Sequence, residues 1–326
     1  MTEDTTELSY WLNWRFFCCA AVVFVALITS VVLLFKYERS HRSHSDEAEN
    51  SRRGIVYQNE TWRTCFTQIH PIWLLGFRVL GFVVLLSLIT FNLGTDGWSI
   101  MYYYTQWTFT LVTIYFALGC SMSIYGLSSS RERSDYLAVD VEITDTSRCP
   151  KLITNHGDSC NREIAGLFGY IFQILFQVCG GAVVITDAMF WFVIYPFLTS
   201  KDYKIDFVNT CLHSVNAVFL LGDTALNSMR YPIFRFAYFI IWTSVYVIFQ
   251  WIIHACISLC SLLIHLRWPY PFLDLSFAYS PVWYLAVGLL HIPSFGFFAL
   301  LVKLKHSWLS RPPCPQSCID SDAQNI

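Results

Sequence analysis

Residues 16–35 read FFCCAAVVFVALITSVVLLF, twenty positions without a charge. Wound as a helix at 1.5 Å per residue, that run covers the ~30 Å hydrocarbon core of a bilayer. Six further apolar stretches follow, at about 71–93, 105–125, 164–198, 206–229, 232–259 and 281–302. In lipid a spanning segment must satisfy its own backbone hydrogen bonds, and these lengths suit helices. The expected fold is therefore all-α: an integral membrane helical bundle of about 7 transmembrane helices, with 6 to 8 as the range. The stretch 164–198 exceeds a simple crossing, so it should tilt, break near Gly180-Gly181 or run along the interface. Composition agrees, because 13% of the residues are charged against about 25% in soluble domains.

The segment before the first stretch, MTEDTTELSYWLNWR, is acidic and no A-x-A-like cleavage site follows, which reads as a retained first span. Cationic residues then set the expected orientation. With the N-terminus extracytosolic, sixteen Lys and Arg fall on the cytosolic side: six in 36–70, five in 126–163, Arg230 and Arg235, and Lys303, Lys305 and Arg311. Arg15, Lys201, Lys204 and Arg267 fall outside, and Arg78 lies within a span. The domain reading is thus an extracytosolic 1–15, a bundle at 16–302 with charged cytosolic loops at 36–70 and 126–163, and a cytosolic tail at 303–326. The sequon Asn59-Glu60-Thr61 falls in a cytosolic loop and is expected to carry no glycan. Endoplasmic reticulum and plasma membrane both suit such a chain.

The net charge of −2, with no Gly-rich phosphate loop, offers no nucleic-acid footprint. Cys149 and Cys160 flank His156 without matching a zinc pattern, so neither metal nor cofactor is expected. Cys314 and Cys318, just past the last span, are placed for palmitoylation or are plain surface thiols. Two near-repeats, IYPFL at 194–198 and PYPFL at 269–273, combine an interfacial Tyr with a helix-stopping Pro.

Candidate functional residues are the polar groups that a membrane should not tolerate. In VNTCLHSVNAVFLLGD (208–223), Asn209, His213, Asn216, Leu220, Asp223 and then Asn227 are spaced 4, 3, 4, 3 and 4 apart, one stripe on a helix. The third stretch carries a second stripe, Gln106, Thr110, Thr113, Ala117 and Cys120, from which Thr108 points away. Eight residues into its span, His213 lies roughly 12 Å deep, and Thr110 lies at a similar depth. A threonine hydroxyl becomes a nucleophile only beside a base such as neutral histidine, which Asn209 and Asn216 are placed to orient. The bland alternative is that Thr bonds a carbonyl one turn back and His bridges helices. Arg78 and Asp223 share the inner third and are expected to form a structural ion pair. Asp187 has no obvious partner unless Lys201 or Lys204 reaches it, and His254 and His291 are packing histidines or line the same cavity.

The strings HPIWLLGFRVLGF, YYYTQWTFTLVTIYFALG, YPFLDLS and WYLAVGLLHIPSFGFFALLVKLKHS resemble a family of plant multi-pass membrane proteins related to the rolling stone proteins of animals. More distantly, NTCLHS followed by Asp223 is similar to the androgen-induced gene family of membrane hydrolases, which cleave fatty acid esters of hydroxy fatty acids with a Thr and a His. That frame is Asn-x-x-x-His-Thr with an acid ten positions on; here it reads Asn209, His213, Ser214 for Thr, and Asp223. The family's Thr stands four positions after a Trp, and here that position is Leu111, with Thr110 beside it. Trp268, Tyr270, Pro271, Phe272 and Leu273 also correspond to a string of that family. The resemblance implies an intramembrane hydrolase of lipid esters, with the bilayer as partner and a lipid ester as substrate. The competing classes are a non-enzymatic rolling-stone-type protein in fusion, trafficking or scaffolding, and a transporter or receptor that uses the outer cavity.

Overall fold

A computed structural model describes residues 8–39, 54–66, 68–144, 163–198, 207–260 and 268–309. Among them every regular element is helical, apart from the isolated bridges Tyr57–Ile164 and Thr64–Asn227. The chain begins with a short α1 (Leu8–Trp11) and continues through α2 (Trp14–Arg39), α3 (Pro71–Asp96), α4 (Tyr104–Thr144) and α5 (Leu167–Met189). After α5 a π-helix runs over Phe190–Leu198, then come α6 (Phe207–Leu212), α7 (Val215–Leu226), α8 (Phe236–Cys260) and α9 (Ser280–Leu309). Six helical segments are long and apolar enough to cross a membrane. The remaining apolar stretch, 206–229, is present as the broken pair α6–α7. The protein is a multi-pass helical membrane protein.

Side-chain bonds show which helix ends share a side. At one end Tyr10 donates to Asp274 (2.8 Å), Trp268 donates to Tyr10 (3.1 Å), and Tyr246 and Gln250 donate to the Tyr102 carbonyl (2.8 and 2.7 Å). At the other, Lys305 donates to the carbonyls of Thr224 and Asn227, both at 2.8 Å, and Arg235 pairs with Glu38 at 3.4 Å. The helices therefore run up and down between a Tyr10 end and a Lys305 end. Tyr10 is 4% exposed, so the segment around it is packed onto residues 268–275 rather than standing apart as a tail.

Three expectations change. Helix α5 runs unbroken through Gly180 and Gly181, because both glycines serve close packing: an added Cβ would come within 2.6 Å of the Phe298 ring and 2.7 Å of the Phe239 ring. The irregularity falls instead in the π-helix that contains Pro196, where proline lacks an N–H and its ring clashes with the carbonyl one turn back. The charged loops are also more ordered than their composition suggests. Helix α4 continues to Thr144, and residues 54–66 form a folded cap in which Val56, Thr61 and Trp62 are buried. Positions 145–162, Lys201, Lys204, Arg267 and residues 310–326 lie outside the described residues, so Cys149, His156, Cys160, Cys314 and Cys318 do too.

Besides the burial of Val56 and Trp62, polar bonds tie the cap to the bundle. Buried Arg78 on α3 donates from Nη1 to the Thr61 carbonyl (2.8 Å) and to Ser123 Oγ (2.8 Å), and from Nε to Asp223 Oδ1 (2.7 Å). Its guanidinium lies 5.0 Å over the Phe172 ring. Asp223 Oδ2 accepts from the Tyr115 hydroxyl and from Asn227 Nδ2 (2.9 Å). Arg235 donates to the Gly54 carbonyl (2.8 Å) and to Gln173, and Arg230 pairs with Glu60 at 3.0 Å. Burial pushes the Cys65 thiol of the cap up, with Lys305 opposing, and it donates to the Ala225 carbonyl at 3.1 Å.

Candidate functional site

The stripe that begins at Asn209 does not lie on one continuous helix. The chain breaks at His213-Ser214, where Ser214 takes φ −144° and ψ −41°. Neither Pro nor Gly stands at the break. A side chain occupies the gap in the helical ladder: the Trp191 indole donates to the His213 carbonyl at 2.9 Å, satisfying a group that the break would leave unpaired. Beyond the break the inward register survives, since Asn216, Leu220, Asp223 and Asn227 are fully buried.

His213 is thereby turned toward the end of α5. Its ring stacks on Phe190 with centroids 3.6 Å apart and planes 3° from parallel. Nδ1 lies 3.8 Å from Asp187 Oδ1, too long for a hydrogen bond but close for an ion pair. Asn216 is near enough to interact with the Asp187 carboxyl without reaching hydrogen-bond geometry, and its Oδ1 accepts from the Ala217 N–H (2.8 Å). Both Asp187 oxygens, His213 Nδ1 and Asn216 Nδ2 are buried with no hydrogen-bond partner. Orphaned polar atoms also occur elsewhere, at both amide atoms of Gln177, at Gln106 Oε1, Gln250 Oε1, Trp242 Nε1 and Arg78 Nη2. Here three residues bring theirs together, one of them an acid.

The cluster borders a cavity of about 80 Å³ between α4, α5, α8 and α9. His213, Thr105, Thr186, Thr243 and His291 supply its polar wall. Ile194, Tyr270, Phe272 and Leu273 line it as well, so both YPFL-type strings help to form the cavity. His291 Nε2 and Thr243 Oγ1 are 3.0 Å apart, and Tyr104 bonds the same Thr243 oxygen at 2.8 Å. The cavity shares Thr243, Val247, Phe272, Leu273, Val287 and His291 with an apolar groove of about 590 Å³ between α2, α8 and α9.

Most intramembrane threonines bond back to a carbonyl one turn earlier, as Thr113 does to Phe109 (2.9 Å), Thr186 to Ala182 (2.6 Å) and Thr224 to Leu220 (2.6 Å). Thr110 does not, and its buried hydroxyl has no partner. Thr110 lies outside the cavity lining, and among the described residues no hydrogen bond joins it to His213. Thr108 is engaged elsewhere, 3.2 Å from Thr186 Oγ1. Leu111 packs in the core. His254 stacks on Trp268 (3.8 Å) away from this cavity, with Nδ1 bound to the Gln250 carbonyl.

No family model, curated protein or solved structure matches the chain. The site must therefore be read from its own geometry. Sequence reasoning left Asp187 without a partner. The depth comparison that set Arg78 beside Asp223 was available for Asp187 and His213 too, since both lie in the half of their stretches nearer the Tyr10 end.

Proposed function

We propose that the chain is an intramembrane hydrolase of lipid esters, a distant relative of the androgen-induced gene family within the rolling-stone-like proteins, with the Tyr10 end extracytosolic. The observation that carries this reading is the cluster of Asp187, His213 and Asn216. Each buried polar atom left unpaired costs about 1–3 kcal/mol, and an acid inside a membrane costs more still. Interhelical glue has no reason to keep such groups unbonded. A site that moves protons does, because its acid and its base must stay free to change partners during the reaction.

In this reading Asp187 holds the proton of His213 on Nδ1, which leaves Nε2 as the base. His213 takes the proton of the Thr110 hydroxyl as Thr110 Oγ1 attacks the acyl carbonyl carbon. The same proton passes to the departing alkoxide, releasing the alcohol. Water, deprotonated by His213, then attacks the acyl-threonine and frees the acid. The shared wall between cavity and apolar groove supports the substrate class, since an acyl chain reaches the cavity from lipid without crossing water. One observation favours a non-enzymatic, contact-based role: about 80 Å³ is well below the ~300–1,000 Å³ of ordinary ligand pockets.

A fluorophosphonate probe in native membranes separates the two. The enzyme reading expects labelling and lipid-ester hydrolysis that vanish in His213→Ala and fall by up to about 10⁴-fold in Asp187→Asn, with expression retained. Wild-type protein left unlabelled beside a labelled membrane hydrolase ends the enzyme reading.

A further inference from the structure

A second groove, of about 790 Å³, opens near the Lys305 end between α2, residues 230–236 and α9. Leu33, Phe295, Ala299 and Leu300 make its walls apolar, while Arg230, Lys303 and His306 stand on its lining, and among the described residues no acidic side chain lines it. Lys303 is exposed, and the Arg230 side chain keeps 28% exposure while its Nε holds Glu60. His306 Nε2 is tied to the Met229 carbonyl at 3.1 Å, which fixes that ring at the groove.

The groove is space that no described helix fills. Small residues on membrane helices ordinarily mark close helix contact, as Gly180 and Gly181 do here. A Cβ added at Gly296 would instead meet nothing within 4 Å. From Lys303 to Ile292, eleven residues of α9 rise ~16 Å, about half of the ~30 Å hydrocarbon core. The groove is thus one leaflet deep, apolar along its length and cationic at its mouth.

We propose that it binds one membrane phospholipid with a net-negative headgroup, the phosphate at Lys303, Arg230 and His306 and an acyl chain lying along Gly296 to Ile292. Basic pockets between membrane helices recognise anionic headgroups in this way, and an apolar wall selects nothing but a chain. The groove shares Leu33, Phe236 and Ile292 with the groove of about 590 Å³ but no lining residue with the His213 cavity, and its lipid binding does not depend on hydrolysis.

The full chain is reconstituted in vesicles of phosphatidylcholine with phosphatidylserine, re-extracted, and its retained lipid measured by mass spectrometry. Wild type is expected to keep phosphatidylserine in preference to phosphatidylcholine. Lys303→Glu, a change at an exposed position, should cut that preference at least tenfold without altering thermal stability in detergent. Gly296→Phe, which fills open space, should lower retention of both lipids. A wild type without preference, or a Lys303→Glu or Gly296→Phe chain that retains lipid as wild type does, overturns the proposal.

Discussion

Arg78 and His213 are both buried polar side chains in one bundle, yet their surroundings are opposite. Around Arg78 most groups answer one another: its Nε and Nη1 reach Asp223, Ser123 and the Thr61 carbonyl, and the carboxylate in turn accepts from Tyr115 and Asn227, which leaves Nη2 without a hydrogen bond. Around His213 the same kinds of groups are present without hydrogen bonds: the imidazole Nδ1 stands 3.8 Å from Asp187 Oδ1, and neither it, the Asp187 oxygens nor the Asn216 amide nitrogen has a hydrogen-bond partner. The first arrangement is what a membrane protein builds when polarity must hold helices and a cap together. The second is what remains when polar groups are held near one another for a purpose other than holding. Stability and function should therefore separate along this line.

The largest effect is expected at the saturated end. Arg78→Met leaves Asp223 an uncompensated buried charge and frees the Thr61 carbonyl beneath the cap, and breaking such a pair costs about 3–5 kcal/mol. Folded yield and thermal stability in detergent should fall sharply. Adding Asp223→Leu should restore only part of the loss, because Ser123 stays without Arg78 while Tyr115 and Asn227 then lose Asp223. A double variant no better than the sum of the singles would show that the two residues do not act as a pair.

The opposite sign is expected at the other cluster. Replacing a buried, poorly bonded polar pair by apolar groups of similar size is often neutral or stabilising, by about 1–4 kcal/mol. Asp187→Leu combined with His213→Leu should melt at or above the wild-type temperature while losing every trace of probe labelling. If this double variant unfolds as Arg78→Met does, the cluster is structural after all and the contrast between the two regions disappears.

Much of this organisation was legible in the sequence, for reasons that also mark where legibility stops. The length of charge-free runs dictates helical crossings, and depth along those runs set Arg78 beside Asp223 before any coordinate was known. The same logic could set Asp187 beside His213, but the two stripes match the histidine to Thr110 instead, and the helix break that turns its ring toward α5 is not visible in the sequence. The break at His213-Ser214 depends on Trp191, a residue on another helix that no local pattern links to it. The folded cap at 54–66 was hidden for a similar reason. Its stability comes from bonds to Arg78, Arg230 and Arg235 on distant segments, while its own composition reads as loop.

The smallest expected effect on stability falls on the residue proposed as nucleophile. Thr110 Oγ1 makes no hydrogen bond, so Thr110→Ala removes no partner and relieves a buried unpaired hydroxyl, which should leave stability unchanged or slightly raised. Thr108→Ala breaks the 3.2 Å contact with Thr186, and a neutral hydrogen bond of that kind contributes about 0.5–1.5 kcal/mol. Stability thus ranks Thr108 above Thr110, and activity should rank them the other way. Thr110→Ala is expected to abolish labelling and hydrolysis, non-additively with His213→Ala because groups that act as one unit fail together. Thr108→Ala should keep most of both, since its hydroxyl is committed to α5. Measuring melting temperature and labelling on the same two preparations makes the test independent of expression level. Activity retained in Thr110→Ala would remove it as nucleophile and pass that role to a hydroxyl on the cavity wall, where Thr105, Thr186 and Thr243 stand.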